Sequence, residues 1–192
     1  MLDPARRKPR GSFEAVFLCR MNISLVPPKI QSVLQESGLE FKVVPCDPDD
    51  AETAVFVEKY GYSMEDSANC ILVKTKTGDE RYVACVVLAT MRLDVNKYVR
   101  KKIQARKVSF ASAEEARALT GMELGGVTPL GLPDNLPLWI DAQVMARQNI
   151  ILGGGNRHSK IIVVPTILKR MPNVEIVEAL ALPSPSPSPS PF

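Results

Sequence analysis

The sequence predicts an α+β fold in which a mixed β-sheet is flanked by helices. Three observations carry that expectation. Strand and helix patterns alternate irregularly instead of in βα repeats, two strand pairs are joined by turn-rich loops that read as hairpins, and capping residues mark the helix ends.

The elements follow in order. Pro27-Pro28 opens a first helix, Ile30, Val33 and Leu34 carry the i, i+3, i+4 spacing of a buried stripe, and Gly38 stops it. Residues 41–46 alternate as a strand. Asp50 is expected to cap a second helix that runs to Tyr60 and closes at Gly61, and Ser63 with Asp66 to cap one short helical turn. Residues 70–76 and 81–89 are apolar and β-branched, and Thr77-Gly78-Asp79-Glu80 joins them as a hairpin. Asp94 then caps a helix with Val95, Tyr98, Val99 and Ile103 on its inner face. A short strand at 108–111 precedes a capping box, Ser112 with Glu115, and Gly121 ends that helix. A long loop over 125–137 leads to a strand ending at Ile140, where Asp141 caps a short helix. Strands at 149–152 and 160–164 flank Gly153-Gly154-Gly155-Asn156-Arg157-His158-Ser159, and a helix at 165–170 and a strand at 174–177 complete the domain. The expected domain covers 23–180, between a flexible basic leader (1–22) and a disordered Ser-Pro tail (181–192) with nothing to bury.

Composition narrows the function. With 192 residues, 45% of them hydrophobic, the chain is one domain with a real core. No window of 18 apolar residues is present, so no membrane partner is expected, and the N-terminus lacks a secretory pattern, which points to the cytoplasm. Cys19, Cys46, Cys70 and Cys85 stand far apart, and His158 is the only histidine. That argues against a zinc cluster and for reduced thiols, with Cys70 and Cys85 buried and inert; no metal and no cofactor are expected. The net charge of +3 conceals an uneven distribution. Residues 92–107 hold seven basic side chains against one acid, and residues 1–10 hold four against one, so the remainder is acidic. Such a patch suits a polyanion, although a solvated helix face would carry the same charge.

Two loops are richer in glycine than a connection requires: Gly125-Gly126-Val127-Thr128-Pro129-Leu130-Gly131 and Gly153-Gly154-Gly155-Asn156-Arg157. Glycine admits positive φ and close backbone approach, and consecutive N–H groups can cradle an anion; a tight hairpin is the simpler use. GxxxxGK[ST], GxSxG and HExxH are all absent.

The order of motifs is more specific than any one of them. A hairpin over 71–89 is followed by Arg92-Leu93-Asp94, a lysine-rich helix, Lys107-Val108-Ser109-Phe110-Ala111, the Gly125–Gly131 loop, Trp139-Ile140-Asp141 and the Gly153–Arg157 turn. Over residues 27–179 this resembles the YbaK / prolyl-tRNA-synthetase-associated domain family, which hydrolyses mischarged aminoacyl-tRNA. The resemblance implies a barrel-like mixed sheet and a pocket for the aminoacylated 3′ end. It also implies hydrolysis by a bound water, with glycine-loop N–H groups stabilising the oxyanion. On that basis Gly125, Gly126, Thr128, Gly153 and Gly154 form the catalytic walls, and Asn69, Leu130, Gly131, Asp141 and Arg157 contact substrate. Arg92, Lys97, Arg100 and Lys101 are expected to hold tRNA phosphates, on charge grounds. The expected partners are a mischarged tRNA and, weakly, a second copy of the chain. Two positions depart from the family: Asn69 stands where editing members carry a lysine, and Lys160 lies near a position that is usually acidic. Lys74, five residues beyond Asn69, should face the other side of its strand. A binding module without turnover is therefore the alternative to a deacylase, and a regulatory protein acting through its Ser-Pro tail is a third reading.

Overall fold

The computed structural model describes residues 22–184, so Cys19, the basic leader up to residue 21 and the Ser-Pro repeats from 185 onward lie outside the described residues. The framework is the hairpin of β2 (Ala68–Thr75) and β3 (Tyr82–Leu88), antiparallel from Ala68 opposite Leu88 to Lys74 opposite Tyr82. β5 (Val108–Phe110) adds antiparallel to β2, while β6 (Leu138–Asp141) and β9 (Val174–Val177) add in parallel beyond β3, giving a five-stranded mixed sheet ordered β5-β2-β3-β6-β9. A second sheet, antiparallel, has β8 (Ser159–Val163) between β1 (Phe41–Pro45) and β7 (Ile150–Gly153).

Alternation along β3 explains why its sequence is apolar throughout. Ala84, Val86 and Leu88 enter the main core with Ile30 and Leu34 of helix α1 (Pro28–Ser37) and with Leu152 and Ile161 of the second sheet. Val83, Cys85 and Val87 face the opposite side, beneath Val99, Ile103 and Leu180. A strand covered on both faces needs no polar alternation. The second sheet is likewise covered twice: Val44, Ile151 and Ile162 turn away from the main core towards Phe56 of α2 (Thr53–Tyr60). Phe56 stacks on Tyr60 and Tyr62 with ring centroids 4.9 and 5.2 Å apart.

The mixed α+β class stands, but among the described residues the sheets do not close into a barrel. β7 reaches the β2 end through a single bridge, Ser67 with Ile151, so the ladder is not continued from one sheet to the other. Other departures are local. Asp50 caps no helix: Asp47 caps a 3-10 turn at Pro48–Asp50, and α2 starts later, after Glu52. Asp50 is instead buried, accepting from the Tyr60 hydroxyl and paired with Lys59 at 2.7 Å. Ser63 accepts from Glu65 N–H and one turn follows at residues 64–66, closed by Ser67 N–H on Met64 O at 3.2 Å, but it does not lengthen into a helix because Ser67 already bridges to Ile151. The residues from 181 begin as structure, since β10 (Ala181–Pro183) pairs antiparallel with β4 (Met91–Leu93) and Ala181 N–H donates to Asp141. The basic segment is a π-type turn, Val95–Val99, running into α3 (Arg100–Lys102) with Asp94 capping. The capping box at Ser112 forms as expected on α4 (Ala113–Thr120), and Asp141 caps α5 (Ala142–Met145).

The two glycine loops are in direct backbone contact. Gly155 N–H donates to Gly126 O at 2.7 Å, Glu123 N–H to Gly155 O at 3.2 Å and Gly126 N–H to Glu123 O at 2.9 Å. A Cβ on Gly126 would sit 2.0 Å from Asn156 O, and one on Gly153 would sit 2.4 Å from Gly126 O. These are main-chain atoms that cannot swing away. Gly126→Ala should therefore destabilise the fold by about 2 kcal/mol or more through overpacking, read as a lowered urea midpoint; an unchanged midpoint would show that the loops separate freely.

Candidate active site

Between the start of β2, the N-terminal end of α2, the glycine loops and β8 lies a cavity of about 230 Å³. Each wall follows from sequence. Asn69 enters from the first residues of β2 and Thr53 from the first turn of α2, and the Thr53 hydroxyl donates to Asn69 Oδ1 at 2.9 Å. That contact engages the Asn69 carbonyl and leaves its amide N–H groups for a ligand. Gly125, Val127 and Gly153 contribute backbone walls.

Lys160 forms the remaining wall. As the second residue of β8 it pairs with Val44 on one side and Gly153 on the other. The period of two puts it on the Ile162 face, beneath Phe56, and not in the main core. The side chain is buried, and its ammonium donates to Ala51 O at 2.6 Å and Gly125 O at 3.3 Å, 5.6 Å from the Phe56 ring centre. No carboxylate pairs with it among the described residues. Burial holds its pKa below the usual lysine value; the Arg157 charge adds to this, and Cys46 and Glu52 oppose it.

The expected site residues separate into two groups. Asn69, Gly125 and Gly153 line the cavity. Gly126 and Gly154 hold the walls from behind, with their N–H groups already donated to Glu123 O and Ser159 O. Arg157 is a strut: Nε and Nη2 donate to Pro48 O at 3.1 and 2.6 Å, and Nη1 to Leu124 O at 3.4 Å. Leu130 is a fully buried core residue, Gly131 packs by Lys29 and Ile30 at the far side of α1, and the Asp141 carboxylate is used on Gln143 and Ala181 N–H. Thr128 is completely buried behind the cavity, and its hydroxyl has no hydrogen-bond partner. The free N–H groups beside the cavity belong instead to Gly125 and Val127, which have no acceptor among the described residues. Lys74 is turned away and forms an ion pair with Glu115. Cys70 touches the cavity, but burial pushes its thiol up to about 12, and pushes Cys85 up as well, so both stay protonated and inert.

The positive surface lies elsewhere. Arg92, Lys97, Arg100 and Lys101 are exposed and form no ion pairs among the described residues; their neighbour Lys102 pairs with Glu175 at 2.6 Å and lies over Trp139. This segment packs on the sheet face opposite the main core. Arg92 follows the cavity end of the hairpin, whereas Lys107 O accepts from Lys76 N–H beyond the far end of β2. Eight residues of strand, about 25 Å at roughly 3.3 Å per residue, separate the two ends.

The fold is thus a small α+β domain with a pocket walled by glycine backbone, an amide and a buried amine, and with exposed cations on the opposite face of the sheet. The sequence model of the aminoacyl-tRNA editing domain family matches residues 47–171, and the chain belongs to that family. A stretch of 103 residues, 53% of this chain, is 36% identical to the proline–tRNA ligase of Bacillus licheniformis; the match covers 17% of that longer protein. A crystal structure described as a candidate trans-editing enzyme for prolyl tRNA synthetase superposes with a TM-score of 0.66 at 21% identity, over 80% of this chain and 97% of that one. A second structure, of a hypothetical protein, gives 0.67 at 23% identity, over 78% and 97%. At these identities the two structures establish the shared fold. No helix among the described residues is long and apolar enough to cross a membrane.

Two outcomes follow. Thr128→Val, nearly isosteric, removes an unpaired buried hydroxyl and should leave the protein as stable as before or more stable by about 1 kcal/mol; a loss of stability in thermal melting would reveal a partner for that hydroxyl. Lys160 has a folded pKa below its unfolded value of 10.5, so the cost of its charge is fully present below the folded pKa and is lifted as pH rises towards 10.5. Urea titrations of wild type and Lys160→Met should therefore show their stability difference moving in favour of wild type as the pH is raised; a constant difference would contradict the burial cost.

Proposed function

We propose that this chain hydrolyses the ester of a mischarged aminoacyl-tRNA, with the acyl group in the cavity and the terminal ribose at its mouth. The observation that carries the reading is that the family match over residues 47–171 includes every residue lining the cavity, from Ala51 to Lys160. At about 230 Å³ the cavity is smaller than the ~300–1,000 Å³ typical of sites for drug-sized ligands, which suits a small amino acid. Ester hydrolysis needs no side-chain nucleophile when water is the attacking group and fixed donors meet the developing oxyanion. The unpaired N–H groups of Gly125 and Val127 are the backbone donors available. Relatives named for prolyl-tRNA synthesis direct the first assay to proline tRNA carrying alanine, serine or cysteine. Release of one of these amino acids is the expected outcome; normal binding of all three charged tRNAs without release would overturn the reading.

The exposed cations Arg92, Lys97, Arg100 and Lys101 are the proposed phosphate contacts. Arg100→Glu with Lys101→Glu should weaken tRNA binding and lower the slope of log affinity against log salt by about 2, near 0.9 for each phosphate lost. An unchanged slope would assign the tRNA to another face.

Asn69 favours a second reading, a domain that binds without turnover, because a neutral amide offers hydrogen bonds but no charge to the reacting group. Deacylation by Asn69→Lys alone, with wild type inactive, would select that reading.

A further inference from the structure

Lys160 is the one buried cation that lines the cavity among the described residues, and its surroundings do not account for it as an ordinary structural charge. Burying an ammonium is costly unless a counter-charge compensates, and among the described residues no carboxylate pairs with this one. Two of its three N–H groups go to Ala51 O and Gly125 O, which fix the nitrogen at the cavity wall. The third has no acceptor among the described residues. Strand pairing on both sides of β8 and the Phe56 ring leave the side chain little freedom to move out to solvent. The result is a preorganised cationic donor in a water-poor recess, beside the unpaired N–H of Gly125. Such a donor favours an oxygen that acquires negative charge.

We infer that Lys160 is a catalytic residue, whose free N–H donates to the carbonyl oxygen of the bound aminoacyl ester as that oxygen becomes an oxyanion. This rests on the deacylase reading above. Water adds its oxygen to the ester carbon, and the carbonyl π pair moves onto the oxygen held by Lys160. Collapse then breaks the bond to the ribose oxygen, which leaves with a proton from the attacking water; the products are the free amino acid and a tRNA with its terminal hydroxyl restored. Lys160 stays protonated throughout. Its charge is worth most in the transition state, so the effect falls on kcat.

Removing one oxyanion donor typically costs about 10²–10³ in rate. Lys160→Met and Lys160→Gln should accordingly lose at least about 100-fold in kcat, with KM changed by no more than about threefold. The wild-type rate, corrected for spontaneous hydrolysis, should fall as pH rises through the lowered lysine pKa, and the residual rate of the variants should not. The groups facing the ammonium are Cys46 just after β1, Glu52 at the start of α2 and Arg157 from the β7–β8 turn. The same alkaline fall in Cys46→Ala assigns it to the lysine, and its disappearance there would overturn the assignment. If either variant fails to fold, binding of alanyl-adenosine 3′-amide, a non-hydrolysable analogue, should shift the Lys160 ε-nitrogen resonance of the wild-type protein, and an unmoved resonance overturns the inference. Folded variants that keep wild-type kcat and pH profile also overturn it, while leaving the deacylase reading intact. A wild type that binds charged tRNA but hydrolyses none removes both.

Discussion

The close approach of the two glycine loops is the constraint on which the site depends. Gly126 lies so near Asn156 and Gly153 that any side chain at either glycine would collide with main-chain oxygen. That contact lets Gly155 N–H reach Gly126 O and brings Glu123 into line with both. With the loops joined, Gly125 and Val127 become one wall of the cavity and Gly153 another, and the guanidinium of Arg157 ties them to the carbonyl of Pro48. The glycines therefore act mainly by packing, and only the N–H groups left over from that packing remain for a ligand.

The cavity's electrostatics follow from the same geometry. Gly125 O, fixed by the loop contact, is one of two acceptors that position the Lys160 ammonium, and Ala51 O, just before α2, is the other. Among the described residues the amine is thus held by backbone dipoles and not by a carboxylate, which neutralises less of its charge. Asn69 on the neighbouring strand is oriented by Thr53 in a comparable way, through its carbonyl, with the donors left free. Both polar side chains reach the cavity as donors. That polarity matches an ester oxygen better than an ammonium group.

The basic surface and the cavity occupy different parts of the fold. The cations lie along the back of the five-stranded sheet, from the cavity end at Arg92 towards the far end of the hairpin.

Most of the architecture was legible in the sequence because it rests on local rules. The β-branched hairpin, the capping box at Ser112, the glycine stops at Gly38, Gly61 and Gly121 and the cap at Asp141 all form where their spacing places them. Asn69, Gly125 and Gly153, which line the cavity, were singled out by the family resemblance and not by any local rule. What the sequence could not supply were relations between distant segments. Asp50 satisfied a capping pattern but is claimed by Tyr60 and Lys59, and residues 181–183 had no apparent partner until β4 lay beside them. Arg157 and Asp141 had suitable chemistry for substrate, but neighbouring carbonyls and N–H groups consume it. Lys160 was visible only as an unexpected sign of charge. Whether a lysine in a strand faces solvent, core or ligand depends on which element covers its side of the sheet, and here α2 does so with Phe56. The sequence by itself determined most of the elements and their glycine stops, because propensity and positive φ are properties of neighbouring residues. Only the tertiary structure decided which donors remain unspent, because that requires every other hydrogen bond to be in place.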